Sequence, residues 1–185
     1  TGVKFGKTEE GAVWLDPERT SPYKFYQFWL NLDDEGVEDY LKIYTTLAKE
    51  VIDEVMEEFT TNKGQRAAQK RLAYEVTKIV HGARIADGVV NATAALFGGG
   101  SFLELSDAEQ KMLISELGLS KAQSSMPATL VNAGLASSNT EATRFLNAGS
   151  ISVNGVKWTQ DKPLEIQKGN NLVQRGKNSF AIIEK

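Results

Sequence analysis

The chain has 185 residues, 41% hydrophobic and 24% charged, proportions of a folded globular protein rather than a disordered or fibrous one. It holds no cysteine and one histidine, His81, which excludes disulfides, thiolate metal sites and a multi-histidine metal centre. The net charge of −3 is unevenly spread: residues 1–125 carry 14 Lys+Arg against 20 Asp+Glu, and residues 126–185 carry 7 against 4. A basic tail on an acidic body is the asymmetry of two modules with different partners. No apolar run approaches the roughly 20 residues that span a bilayer, and no signal-peptide core opens the chain, so a cytoplasmic location without membrane contact is expected.

Residues 1–20 lack a clear period and read as an extended loop. Their opening, GVKFGKT, approaches the Walker phosphate-loop pattern but places three residues between Gly2 and Gly6 where that pattern needs four, and only Thr1 precedes Gly2. Two lysines around a flexible glycine, followed by a hydroxyl, can still place Lys4, Lys7 and Thr8 about polyphosphate oxygens. Ser21-Pro22 predicts a helix start, Ser as the cap and Pro at the first helical position. The dense aromatic run Tyr23, Phe25, Tyr26, Phe28 and Trp29 predicts core or an interface.

Downstream, DDEGVEDYLKIYTTL predicts a second helix with Val37, Leu41, Tyr44 and Leu47 at helical spacing, and KEVIDEVMEEF a third with Val51, Val55 and Phe59 on one face. A fourth helix, QRAAQKRLAYEVTKIVHG, directs Ala68, Leu72, Val76, Ile79 and Val80 inward and stops at Gly82, with His81 in its last turn beside the negative helix end. ARIADGVVNATAALF ends at Gly98-Gly99-Gly100, and SDAEQKMLISEL carries a capping box, Ser106 with Glu109, and stops at Gly118. The result is a helical bundle of about five or six helices.

SKAQSSMP, residues 120–127, reads as a polar linker. Two short helices follow, each closing on a glycine, then an Asn154-Gly155 hairpin, then short strands in LEIQ, NLVQRG and SFAIIEK. The expected fold is thus a mostly α helical bundle followed by a small α+β domain. The boundaries are 1–20 for the loop and connector, 21–119 for the bundle, 120–127 for the linker and 128–185 for the tail.

Taken together, the run KFGKTEEGAVWLDPERTSPYKFYQFWLN, the helices in QRAAQKRLAYEVTKIVHG and ALFGGG, and the tail segments GLASSNTEATRFLNAGSISVNG and RGKNSFAIIEK resemble the C-terminal part of bacterial tyrosyl-tRNA synthetases. The resemblance covers essentially the whole chain. It implies that Lys4, Lys7 and Thr8 belong to that family's mobile signature loop, which holds ATP pyrophosphate, with Mg2+ accompanying the nucleotide in the full-length enzyme. It implies a helical anticodon-binding domain in which Asp34, beside Asp33, accepts from an anticodon base. It further implies an alpha-L type RNA-binding tail in which Arg144, Arg175 and Lys177 meet RNA backbone, with Asn139, Gln174 and Asn178 at neighbouring positions where other members are more basic. The implied partners are tyrosine tRNA, and L-tyrosine and ATP together with the nucleotide-binding fold that this stretch lacks; without that fold the fragment is expected to bind no nucleotide and to be inactive alone. The family works as a homodimer, while this fragment is expected as a monomer, and no metal ligand is assigned. The competing reading is a freestanding RNA-binding or RNA-modifying protein that shares only the alpha-L module; it leaves KFGKT and the aromatic helix unexplained.

Overall fold

The computed structural model describes residues 7–8, 11–159 and 165–185, with residues 7–8 and 11–12 described by backbone alone. The chain forms two compact units, residues 1–90 and 91–185.

In the first unit, strands β1 (Lys7–Thr8) and β2 (Gly11–Ala12) pair antiparallel, Lys7 opposite Ala12. Helix α1 (Pro22–Leu30) starts as its sequence dictates: Ser21 Oγ accepts from Lys24 N, and Pro22 stands in the first turn, where a missing N–H costs nothing. Phe25, Tyr26 and Trp29 are the residues this helix buries. Helix α2 (Val37–Tyr44) begins later than the acidic run suggests, because Gly36 turns the chain in the left-handed region at φ 82°. Asp33, Asp34 and Glu35 therefore precede the helix, and Leu47 lies beyond its end. Helix α3 (Lys49–Thr61) buries Ile52 and Phe59, with Val51 and Val55 half-buried beside them.

Helix α4 (Ala67–His81) packs against α1, α2 and α3. Three neighbours demand a wide buried face, and Ala68, Gln69, Leu72, Ala73, Glu75, Val76 and Thr77 supply it. Ile79, expected inward, is 54% exposed. The covered stripe in the last turn runs through Ala73, Thr77 and His81, whose ring meets Phe25 edge-on with centroids 5.0 Å apart, and Ile79 points away from that stripe. Burial lowers the pKa of His81, which favours the neutral imidazole. Helix α5 (Ala83–Phe97) runs across the division between the units.

In the second unit, α6 (Asp107–Leu117) carries both halves of the capping box: Ser106 N donates to Glu109 Oε2 at 2.7 Å, and Glu109 N donates to Ser106 Oγ at 3.4 Å. Strand β3 (Leu119–Lys121) comes next, followed by α7 (Met126–Asn132) and α8 (Asn139–Asn147). Strands β4 (Ile151–Val153), β5 (Val156–Lys157), β6 (Asn170–Arg175) and β7 (Ser179–Glu184) complete a five-stranded mixed sheet in the order β3-β7-β6-β4-β5. The stretch read as a linker thus opens in the end of a strand, Ser120 pairing in parallel with Ile183, and ends in a helix capped by Ser125. Residues 165–167 of the expected LEIQ strand lie in no strand. The Asn154-Gly155 hairpin forms as expected, with φ 48° and 79° at its two central residues. Leu130, Leu146, Ile151, Val173 and Ile183 anchor an aliphatic core between the helices and the sheet.

Candidate nucleic-acid interface

Lys4 lies outside the described residues, and Lys7 and Thr8 are placed only as the β1 backbone. The other expected residues fall into two groups, one in each unit.

Asp34 sits in the connection between α1 and α2 and is exposed. Two residues of α4's N-terminal end brace that connection. Arg66, itself in the left-handed region at φ 56°, donates through Nη2 to Leu30 O at 2.9 Å and to Leu32 O at 2.7 Å. Gln69 Nε2 donates to Asp34 Oδ1 at 2.8 Å. One carboxylate oxygen is thereby fixed from the protein side on an otherwise exposed residue. An ionised carboxylate offers only acceptors, so its free edge suits a base amino or imino group and repels phosphate.

The second group gathers about Phe145 on α8. The guanidinium of Arg144 lies 5.5 Å and that of Arg175 5.0 Å from its ring centroid. Arg175 is also tied down: Nη1 donates to Leu135 O at 2.9 Å and Nη2 to Ser179 Oγ at 3.2 Å. Arg144 is 73% exposed in its side chain and pairs loosely with Glu141 at 3.5 Å. Glu141 has its pKa lowered, first by the Ser137 hydroxyl and backbone N–H that donate to it and less by Arg144 and Arg175. Lys177 is exposed in the turn joining β6 to β7, a turn fixed by Gly176 at φ 62°, whose N–H donates to Ser150 O at 2.8 Å. The structure therefore brings Arg144 and Arg175 onto one ring and holds Lys177 two residues beyond Arg175. A planar cation over an aromatic face keeps its charge while its rotamers are restricted, an arrangement suited to meeting phosphate.

Sequence reasoning missed Arg66, Gln69 and Phe145. A signal existed for Gln69: it falls inside the apolar stripe of α4, between Ala68 and Leu72, where a polar residue needs a partner. Phe145 is half-buried at the edge of the α8 face that packs on the core, and nothing in its spacing separates it from other core aromatics.

Comparison with known proteins matches the chain to two family models in succession. Residues 1–98 match the family described as tRNA synthetases class I (W and Y), and the chain belongs to that family. Residues 104–183 match the tyrosine–tRNA ligase SYY-like C-terminal domain, which places the chain on the tyrosine side of the family. It is 41% identical to the tyrosine–tRNA ligase of Anaeromyxobacter dehalogenans over 100% of this chain and 46% of that protein. It is 38% identical to tyrosine–tRNA ligase 1 of Bacillus subtilis over 98% of this chain and 45% of that protein. A C-terminally truncated mitochondrial tyrosyl-tRNA synthetase of Aspergillus nidulans, known as a crystal structure, is 41% identical over 44% of this chain and 23% of its own, with a TM-score of 0.43. The chain thus spans about half the length of the curated relatives it matches.

Proposed function

We propose that these 185 residues are the tRNA-recognition part of a tyrosine–tRNA ligase, the enzyme that activates tyrosine with ATP and transfers it to tyrosine tRNA. The observation that carries this is similarity at 38–41% identity to tyrosine–tRNA ligases across essentially the entire chain. The rival, a freestanding RNA-modifying protein sharing only the C-terminal module, would leave the match over residues 1–98 without a cause.

In this reading the helical part expected over residues 21–119 is the anticodon-binding domain, less residues 91–119, which fall in the second compact unit, and residues 128–185, entered through 120–127, form the alpha-L type RNA-binding domain. The paired short helices α7 and α8 followed by antiparallel strands support the second assignment. Lys4, Lys7 and Thr8 would bind the pyrophosphate portion of ATP, completing a site whose nucleotide-binding fold lies outside this stretch. In this reading Mg2+ would enter with the nucleotide, held largely by its phosphates. Asp34 reads an anticodon base, which supplies specificity; Arg144, Arg175 and Lys177 neutralise phosphates, which supplies affinity. The full-length enzyme is assigned to the cytoplasm as a homodimer. Among the described residues no helix is long and apolar enough to cross a membrane.

The test is binding of this chain to tyrosine tRNA and to a copy altered in the anticodon, each at two salt concentrations. Preference for the unaltered anticodon is the expected result. Equal affinity for both, rising and falling together with salt, would overturn anticodon recognition by these residues and leave only generic RNA binding.

A further inference from the structure

Asp34 does not stand alone, and what stands behind it is unusual. Gln69 is fully buried, yet its side chain reaches outward to a carboxylate at the surface. Its amide cannot be reversed, since that would set Oε1 against Asp34 Oδ1. In the orientation observed, Oε1 is buried with no hydrogen-bond partner. An apolar side chain at this position would avoid that orphan acceptor, so stability alone gives no reason for a glutamine here. The hydrogen bond to Asp34 is the one polar interaction that the burial of Gln69 provides.

We propose that Gln69, seconded by Arg66, is a positioning residue for anticodon reading: it holds one oxygen of Asp34 so that the other is presented in a fixed direction to a base edge. The inference rests on the reading of Asp34 as the base-contacting carboxylate. The geometry on which it adds is local. Arg66 clamps Leu30 and Leu32 by their carbonyls, and Gly36 turns the chain into α2, so the backbone on both sides of Asp34 is fixed. What remains is rotation of the carboxylate itself, and Gln69 Nε2 removes it. A neutral amide is the donor that does this without adding a positive charge beside the base edge that the carboxylate has to meet.

The experiment measures tyrosine-tRNA binding by this chain, with the unaltered anticodon and with the altered one, for the wild type, Asp34→Ala and Gln69→Met. Gln69→Met keeps volume and removes both the donor and the orphan acceptor. Its expected effect is a folded protein whose preference for the unaltered anticodon falls roughly threefold to tenfold, the scale of one hydrogen bond, while binding of the altered tRNA stays unchanged. A merely structural role would weaken both tRNAs alike or neither, and either pattern overturns the proposal. If Asp34→Ala keeps full preference, the reading of Asp34 itself falls; if Asp34→Ala loses preference and Gln69→Met keeps it, only the positioning role falls. Should Gln69→Met not fold, the side-chain amide protons of the wild type decide. One exchange-protected Gln pair must shift in Asp34→Ala, and the absence of any such pair overturns the proposal.

Discussion

In the C-terminal unit Asn171 is fully buried with every polar atom of its side chain engaged, whereas in the N-terminal unit Gln69, equally buried, leaves Oε1 without a partner. Asn171 Nδ2 donates to Gln167 O at 2.8 Å and Gly169 O at 2.9 Å, and its Oδ1 accepts from Gln167 N and Asn154 Nδ2, each at 3.0 Å. Asn154 Oδ1 in turn accepts from Leu172 N at 2.9 Å. This closed network ties the hairpin turn to the chain leading into β6. In the helical unit Thr77 Oγ1 and His81 Nε2 are also buried without hydrogen-bond partners. A satisfied buried network rigidifies a fold, while a half-satisfied one costs stability. The polar core of the C-terminal unit is structural, and that of the helical unit is explained only in part by packing.

The sharpest way to break this contrast is Asn171→Leu. It leaves Gln167 N, Gln167 O and Asn154 Nδ2 without their partners, while Gly169 O keeps the bond from Lys185 N, and is expected to destabilise the second unit by about 3 kcal/mol in urea unfolding. A loss below about 1 kcal/mol would mean that water replaces the network. The next effect is smaller: Ser106→Ala removes one arm of the capping box and should cost about 1 kcal/mol, read from the same transition.

At Thr77 the contrast predicts the opposite sign. Thr77→Val deletes a buried hydroxyl without a partner while keeping the branched shape, so the thermal midpoint should stay level or rise slightly; a fall of several degrees would reveal a hidden partner for that hydroxyl. His81 adds a pH dependence to the helical unit. Its folded pKa is lowered by burial, so the unfolded chain binds the proton first. The stability associated with neutral His81 is present above the unfolded value, about 6.5, and is lost as pH falls from there toward the folded pKa. His81→Phe should flatten the stability profile of that unit through this window, and an unaltered slope would assign the pH response elsewhere. The smallest stability change is expected at Arg144, whose exposed pair with Glu141 contributes little. Arg144→Ala should leave unfolding unchanged yet reduce the salt dependence of tRNA binding by about one unit of slope.

Much of this was legible wherever local chemistry alone decides the backbone. Ser21-Pro22, the Ser106–Glu109 box, Gly82, Gly118 and the Asn154-Gly155 turn each act within a few residues, and each does what its chemistry requires. Strand β3 was not legible: Leu119, Ser120 and Lys121 are too few and too polar to show alternation, and their state is decided by a partner strand far along the chain. Residues 165–167 erred the other way, since Ile166 is buried in the core but its neighbours join no ladder. The site followed the same rule. Asp34 and the tail cations came from resemblance and composition, but the braces on Asp34 join residues 34–36 positions apart and exist only once α4 is packed.

The parallel pairing of β3 with β7 also carries a consequence for how the chain is made. β7 lies between β3 and β6 in the sheet, so β3 has no hydrogen-bonding neighbour until β7 exists. A ribosome releases Leu119 long before Ile182, and throughout that interval β3 and the α7–α8 pair must wait. In the helical unit α1 also waits for α4, but α4 emerges well before β3 does. During synthesis the helical unit can be finished while the tail is still open, and β7 is the strand that shuts it.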